Sequence, residues 1–270
     1  MSILGDEQTG LALLSGAIVG LSLGLTGAGG SLLAIPLLVY VLKLSLHEAT
    51  AISLALVGVS AALGLVGYFR TGDVKVGTAL VFSPTGAVGG WFGAQGQQLV
   101  RSEIILLSFS LLMMVMAIHM WRHSRSESAE RLGTLACADA FPPSCFVKVG
   151  SIGLIVGMLS GFFGVGGGFV IVPALSLILG FPMRASIGTS LMIIGFTSIG
   201  GITGHLQFGE IPGGLLATLV LGSAVGIGLG ATVGQWLSAG ITTRVFAALT
   251  IGVAVILMFD NAPKVFALLS

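Results

Sequence analysis

The stretch GLSLGLTGAGGSLLAIP, residues 20–36, recurs in altered form as GMLSGFFGVGGGFVIVP at residues 157–173. Both copies place a dense glycine cluster inside an apolar run and end that run with a proline. Glycine costs a helix about 1 kcal/mol per position relative to alanine. Four glycines between positions 164 and 168 therefore predict a broken helix. Each copy is predicted to fold as a helix, a short irregular turn and a second helix.

The two copies belong to a longer internal repeat. A shift of 137 positions superimposes residues 20–99 on residues 157–236 without a gap. Of the 15 glycines in the first window, 12 meet another glycine, whereas chance gives about four because glycine fills 20 of the 80 positions of the second window. The chain is therefore an internal duplication, and such repeats are typical of secondary transporters.

The composition of the chain indicates that its solvent is lipid. Only 8% of its 270 residues are charged and 55% are hydrophobic, whereas a soluble domain carries roughly 25% charged residues. A helix needs about 20 apolar residues to span a bilayer. Apolar stretches run roughly over 10–42, 46–69, 74–99, 102–121, 148–180, 183–206, 211–237 and 241–259.

These stretches predict an all-α polytopic membrane protein built from two glycine-rich repeats. The first transmembrane repeat is assigned to residues 10–121, a polar cytoplasmic linker to 122–147, and the second repeat to 148–260. Each repeat is predicted to contain a broken or re-entrant helix plus three spanning helices. If the broken segment turns back, the repeats are inverted, and eight of the 11 Lys and Arg residues lie on the side of the linker. If it crosses the membrane once, the repeats are parallel, and these residues divide seven to four between the two sides. The positive-inside rule favours inversion.

The glycine turns are the first candidates for a binding site. A broken helix exposes backbone N–H groups where its second half begins, near Ser31 and Gly168, and such groups bind anions. The alternative is that the glycines only allow close helix packing. The glycines proposed to let a substrate approach the backbone are Gly27, Gly29, Gly30, Gly164, Gly166, Gly167 and Gly168.

Small hydroxyl side chains could complete such a site. Ser53 and Ser190 occupy equivalent positions in the two repeats, Thr189 precedes Ser190, and Ser31 follows the first cluster. Hydroxyl donors suit a small oxyanion. The alternative for each of them is a hydrogen bond to its own helix backbone.

The sequence offers no catalytic residue, metal site or cofactor site. It lacks a carboxylate pair, a nucleophile–base pair and a P-loop lysine, which argues against an enzyme. His205 lies near the end of a span, where an interfacial position and a role in proton coupling are both open. The two cysteines, Cys137 and Cys145, are interpreted as ordinary thiols in the linker.

The pattern G-x-x-G-x-G-G, followed by an apolar run and a proline and repeated in both halves with a later Ser-Leu pair, resembles the sulfite exporter TauE/SafE family. The resemblance covers about residues 10–260. The residues that carry it are Gly24, Gly27, Gly29, Gly30 and Pro36, and Gly161, Gly164, Gly166, Gly167 and Pro173. It implies a multi-pass permease of the cell inner (plasma) membrane for small sulfur-containing or organic anions, without ATPase activity and coupled to an ion gradient. The related thiosulfate permeases use membrane cysteines, and the position of both cysteines in the linker argues against that mechanism here.

The expected function is a secondary transporter, a permease or exporter, for a small oxyanion such as sulfite or a sulfonate. The alternatives are a passive anion channel and a permease for a different small solute. The expected partners are the small anionic substrate, a coupling proton or cation, and the lipid bilayer. No nucleic acid is expected, and the oligomeric state stays open.

Overall fold

The computed structural model describes residues 6–26, 30–72, 74–123, 143–175, 179–181, 183–205, 213–234 and 239–269, and over these residues it is helical without a strand. The first half contains α1 (Asp6–Thr26), α2 (Gly30–Pro36), a π-helical segment (Leu37–Val41), α3 (Leu46–Thr71), α4 (Val76–Gln98) and α5 (Ser102–His123). The second half contains α6 (Pro143–Phe163), α7 (Gly168–Pro173), α8 (Met183–His205), α9 (Gly213–Gly234) and α10 (Ala239–Leu269).

The described helices confirm the prediction of an all-α membrane protein. Five of them contain a stretch that is long and apolar enough to cross a membrane, at Gln8–Leu25, Leu46–Phe69, Cys145–Phe163, Ala185–His205 and Gly213–Gly230. Large apolar side chains point outward, since Leu99, Phe259 and Val147 are 88%, 79% and 74% exposed. Such a surface suits lipid.

The second predicted helix break is present, between α6 and α7. The first falls between the end of α1 and the start of α2, at residues 27–29, which lie outside the described residues. Gly164, Gly166 and Gly167 have φ angles of +68°, +71° and +72°, a region that glycine adopts without steric cost. Each break follows a helix of 21 residues, so the second part is a short helix rather than half of an evenly divided span.

The short helices end in the same backbone arrangement. The N–H groups of Leu42 and Leu44 donate to the carbonyl oxygens of Leu37 and Leu38, at 3.2 Å each. At positions 137 residues later, Leu179 donates to Ala174 at 3.3 Å and Phe181 donates to Leu175 at 3.1 Å. The two chain segments therefore share an i→i+5 and an i→i+6 hydrogen bond at matching positions.

Glycine lines the two most extensive helix interfaces, α1 with α9 and α4 with α6. A Cβ at several of these glycines would overlap a carbonyl oxygen of the facing helix, so the backbones lie in direct contact, as in small-residue membrane interfaces. The contact of Gly20 with Ser223 corresponds to the contact of Gly157 with Gly86, because matching residues of the two repeats are 137 positions apart. In the same way, the contact of Gly226 with Ala17 corresponds to that of Gly89 with Leu154.

The order of glycine contacts gives the relative directions of the helices. Along α4 and α6, Phe82 lies at Gly153 and Gly90 at Gly161, so these helices are parallel. The contacts of Gly86 with Thr197 and of Ala94 with Gly204 make α4 and α8 parallel as well. Because α6 and α8 therefore run in the same direction, the chain between them, which contains α7, must return to the end where α6 began.

Helices α3 and α8 occupy matching positions in the two halves and run antiparallel. Gly58 faces Ser198, and Leu54 faces Gly201. The amino-terminal end of α3 consequently lies at the same end of the molecule as the carboxyl-terminal ends of α4, α6 and α8. The second glycine turn lies at this end too, since it follows α6.

The predicted linker, 122–147, lies largely outside the described residues. Cys145, at its end, is in the first turn of α6, is 3% exposed and is disulfide-bonded. The prediction of an ordinary loop thiol is therefore wrong for Cys145, because the helix begins earlier than expected and buries the side chain. Cys137 lies outside the described residues.

Candidate functional site

The second glycine turn lies between two long helices in the interior. A Cβ at Gly164 would overlap Thr50 of α3, and one at Gly166 would lie 2.8 Å from Val57 of α3 and 3.7 Å from Ile194 of α8. Residues 164–168 are all buried. The turn thus follows α3 inward for about two helical turns, the distance between positions 50 and 57 at 3.6 residues per turn.

The face of α3 that lines this turn carries an unbonded hydroxyl. Thr50, Ser53 and Val57 project within about 60° of one another because their spacing is three and seven residues. Ser53 is 0% exposed, and its Oγ has no hydrogen-bond partner among the described residues. A buried hydroxyl without a partner is costly, so this position is suited to a ligand atom.

A buried polar cluster adjoins the turn through Thr50. The Thr50 hydroxyl lies 3.3 Å from Oε1 of Gln97, and Nε2 of His205 lies 2.7 Å from the same oxygen. The Nδ1 atom of His205 lies 2.9 Å from the carbonyl oxygen of Gly201. Gln97 and His205 are 0% and 3% exposed. The cluster therefore joins α3, α4 and α8 at the end where the turn lies.

Two further nitrogen atoms of this region lack partners. Nε2 of Gln97 and Nδ1 of His47 are buried and have no hydrogen-bond partner within the described part of the chain. The Thr50 hydroxyl is better placed to donate to the carbonyl oxygen of His47, at 2.8 Å. Of these groups, the Gln97 amide and the Ser53 hydroxyl are the hydrogen-bond donors that the region offers beside the turn.

The hydroxyls predicted from the second repeat have structural partners. Thr189 accepts a hydrogen bond from the backbone N–H of Lys75 at 3.0 Å, which ties α8 to the start of α4. Ser190 donates to the carbonyl oxygen of Ile187 on its own helix at 2.8 Å, the alternative that the sequence left open. The equivalent of Ser190 in the first repeat, Ser53, has a hydroxyl without a hydrogen-bond partner in the described residues.

The first glycine turn is described in part. Gly27 and Gly29 lie outside the described residues. Gly30 and Ser31 begin α2 and are buried, and a Cβ at Gly30 would lie against the backbone of Val19 and Leu23. This glycine therefore packs α2 against α1. In the second turn, a Cβ at Gly167 would lie 3.0 Å from the Ser160 side chain, and Gly168 is the first residue of α7. Helices α2 and α7 also contact each other.

The comparison with known proteins identifies the family. The model of the sulfite exporter TauE/SafE family matches residues 12–257. The chain belongs to the TauE/SafE family. It is 32% identical to a "probable membrane transporter protein" of Xylella fastidiosa strain Temecula1, over 92% of this chain and 94% of that protein. It is 25% identical to the "probable membrane transporter protein YdhB" of Bacillus subtilis, over 82% of this chain and 88% of that protein. No solved structure gives a significant match.

Family membership makes this chain a multi-pass membrane transporter. The curated relatives are named as transporters, which agrees with the expectation of a protein that is not an enzyme. In the described residues of this TauE/SafE protein, no group of three or more His, Cys, Asp or Glu side chains could hold a metal ion.

The polar cluster of this TauE/SafE chain belongs to one glycine turn only. The positions that correspond to Thr50, Gln97 and His205 in the other repeat are Ile187, Gly234 and Tyr68. Sequence reasoning considered His205 but missed Thr50 and Gln97. The available signal was the loss of polarity at these positions in two copies that otherwise match. When one copy of a duplicated site becomes specialised, the copies differ at the residues that carry its chemistry.

Helix α7 contributes less to the site than the sequence suggested. It has six residues, and its N-cap residue is Gly167, so no side chain caps the helix. A helix macrodipole sums over aligned peptide units, and few are available here. The donors of the side-chain cluster therefore carry more of the polarity than the helix terminus does.

A crevice of about 390 Å³ between α3 and α8 is a poor oxyanion site. Matching residues of the two helices line it, such as Gly58 with Gly195 and Val59 with Phe196. Its lining is almost wholly apolar, with Ser198 as its one polar side chain among the described residues. It suits hydrocarbon chains better than a charged solute.

A second polar network ties the π-helical segment to α10. The Tyr40 hydroxyl donates to Oδ2 of Asp260 and accepts from Nδ2 of Asn261, both at 2.9 Å. Asn261 also donates to the carbonyl oxygen of Leu257 at 2.8 Å and is 2% exposed. These bonds anchor the end of the short helix that follows the first glycine turn.

Proposed function

We propose that this protein is a secondary transporter that carries a small sulfur-containing or organic oxyanion, such as sulfite or a sulfonate, across the cell inner membrane. The observation that carries the proposal is the pair of buried donors beside the second glycine turn, the Ser53 hydroxyl and the Gln97 amide nitrogen, which lack partners in the described residues. Family membership supports a transporter.

The chemistry of the site favours an anion over a cation. Serine hydroxyls and amide N–H groups donate hydrogen bonds, and hydrogen bonds to a charged acceptor are about twice as strong as neutral ones. The residues that form the cluster include no carboxylate, which a cation site would use. The glycines at 164 and 166 let the turn pack directly on α3. We therefore assign the substrate to the Ser53 and Gln97 donors beside the turn.

An inverted repeat is the architecture that we propose for transport. It is supported by the backbone bonds that recur 137 positions apart, by the matching glycine interfaces and by the antiparallel run of α3 and α8. In such repeats, broken helices place the substrate near the bilayer midplane, and one bundle rocks against the other. The contact between α2 and α7 is consistent with two short helices that meet in the interior.

The orientation in the membrane follows from the distribution of positive charge. In the inverted arrangement, eight of the 11 Lys and Arg residues lie on the side of the linker, which the positive-inside rule assigns to the cytoplasm. The disulfide at Cys145 argues for an oxidising compartment instead. We give more weight to the eight charges than to one bond. In a topology assay, a reporter that works only in the cytoplasm is expected to be active when it is inserted in the linker. A reporter that works only outside the cytoplasm is expected to be inactive at the same position.

A ligand-stabilisation panel tests the proposed substrate class. A ligand at 100 times its Kd stabilises the folded state by about 2.7 kcal/mol. Sulfite or a short sulfonate is therefore expected to raise the melting temperature of the purified protein in detergent, and neutral solutes of similar size are not. Stabilisation by neutral solutes or cations alone would contradict the proposal.

Two glycine variants test the position of the site. Gly166→Val forces a side chain toward Val57 at a φ of +71° and is expected to abolish stabilisation by the anion. Gly195→Ala is the matched control, because nothing lies within 4 Å of its Cβ, and it should respond like the wild type. Full anion stabilisation of a folded Gly166→Val protein would exclude the turn from the site.

A further inference from the structure

The hydrogen bonds of His205 to Gly201 and Gln97 depend on a single proton. The two ring nitrogens of His205 lie 2.9 Å from the carbonyl oxygen of Gly201 and 2.7 Å from Oε1 of Gln97. Both oxygens accept hydrogen bonds and cannot donate them. Because a neutral imidazole has one N–H group, the ring satisfies both contacts only when it is protonated.

Loss of this proton favours a rotated Gln97 amide. Nε2 of a neutral His205 would present a lone pair to Oε1, and the two atoms would repel each other. After a half-turn, the amide nitrogen of Gln97 could donate to the imidazole and to the Thr50 hydroxyl, which lies 3.3 Å from that position. Thr50 can accept this bond because it donates to the carbonyl oxygen of His47.

The rotation changes the atom that Gln97 presents to the site. In the structure, where Oε1 faces His205, Nε2 of Gln97 is buried and has no partner in the described residues. After the half-turn, Oε1 takes that position. An N–H donor attracts an oxyanion, whereas an amide oxygen repels it. The position lies beside the turn, since Thr50 contacts Gly164.

We propose that His205 couples proton binding to anion binding by setting the orientation of the Gln97 amide. Protonated His205 holds the amide oxygen and leaves the N–H donors for the substrate. The inference rests on the proposed function, because it requires an oxyanion beside the turn. Because the two binding events are then linked, the protein takes up as much as one proton for each anion that it binds.

On the helices that pack against α8, titratable groups at this end of the molecule are few in the described residues. Helix α3 contributes His47, which acts electrostatically on His205, and Glu48, which is exposed and bonded to Ser45. The sequences of α4 and α7 contain no titratable side chain. Lys148 of α6 lies at the opposite end, near the start of that helix. Past the end of α4, Arg101 and Glu103 pair with each other in a more exposed position.

Binding of methanesulfonate across pH tests the proposal, because this anion does not titrate in the range of histidine, about pH 5–8. The Kd of the wild type is expected to rise as much as tenfold per pH unit on the alkaline side. Adding methanesulfonate to weakly buffered protein should raise the pH through proton uptake. His205→Gln should remove the pH dependence and the uptake, whereas His47→Gln should keep both.

A third variant covers the case in which His205→Gln does not fold. Gln97→Leu has a similar volume and removes the rotating amide while His205 remains. It is expected to bind methanesulfonate more weakly and without linked proton uptake.

The possible failures are distinguishable. Binding by the wild type with no pH dependence, or loss of proton uptake in His47→Gln but not in His205→Gln, would overturn the coupling role and leave the transport proposal standing. Retained proton uptake in a folded Gln97→Leu protein would also overturn it. No binding of methanesulfonate, sulfite or any other oxyanion by the wild type at any pH would remove the proposed function and this inference together.

Discussion

Replacement of Ser53 by alanine is expected to stabilise the fold and weaken transport at the same time. The Ser53 side chain is 0% exposed, and its hydroxyl has no partner in the described residues. Mutational data put the cost of such a group at about 1–3 kcal/mol. Alanine removes this cost, so the variant should gain about 1–2 kcal/mol after a small loss of packing.

The loss of function follows from the same hydroxyl. A hydrogen bond to a charged group contributes about 1.5–3 kcal/mol. At 1.4 kcal/mol per factor of ten, Ser53→Ala should weaken anion binding roughly 10- to 150-fold. A residue that destabilises the protein while it improves substrate binding is typical of functional sites.

Ser190→Ala is the matched control. Ser190 occupies the equivalent position, is also 0% exposed, and donates to the carbonyl oxygen of Ile187. Loss of that bond costs about 0.5–1.5 kcal/mol, which the better helix propensity of alanine partly offsets. Its stability should therefore fall slightly or stay level, and its anion affinity should remain near that of the wild type.

Thermal unfolding in detergent and equilibrium binding of a sulfonate measure both effects. A gain of 1 kcal/mol corresponds to an increase of about 2–4 °C in the melting temperature for soluble proteins of similar size. A folded Ser53→Ala protein that is less stable than the wild type, or that binds the anion equally well, would refute the assignment of Ser53 to the site.

Two further variants test the packing of the fold. Gly157→Ala should destabilise the protein by about 1–3 kcal/mol through overpacking, because its Cβ would overlap the carbonyl oxygen of Gly86. Gly195→Ala, with open space around its Cβ, should be neutral or stabilising. Equal melting temperatures of these two variants would contradict this prediction. Tyr40→Phe removes the hydrogen bonds with Asp260 and Asn261 and should cost about 0.5–3 kcal/mol. Unchanged thermal unfolding of Tyr40→Phe would mean that this network does not anchor the π-helical segment to α10.

The membrane class and the broken helices could be predicted because each rests on local composition. A chain with so few charges cannot cover itself with a polar surface, and four glycines within five positions are costly to a helix. The turn at Gly164, Gly166 and Gly167 needs positive φ angles, and the sequence supplies glycine at each of these positions.

The polar cluster could not be read from local sequence. Thr50, Gln97 and His205 come from three helices and are separated by 47 and 108 positions along the chain. Only the packing of α3, α4 and α8 brings them together. Thr189 shows the converse, since a hydroxyl with suitable chemistry is used instead to hold the backbone of Lys75.

Flux of labelled sulfite and a short sulfonate in proteoliposomes, with and without an imposed proton gradient, measures proton-coupled oxyanion transport itself. We expect saturable flux of an oxyanion that the gradient drives and that Ser53→Ala weakens. Movement of cations or neutral solutes, with no flux of any oxyanion, would contradict it.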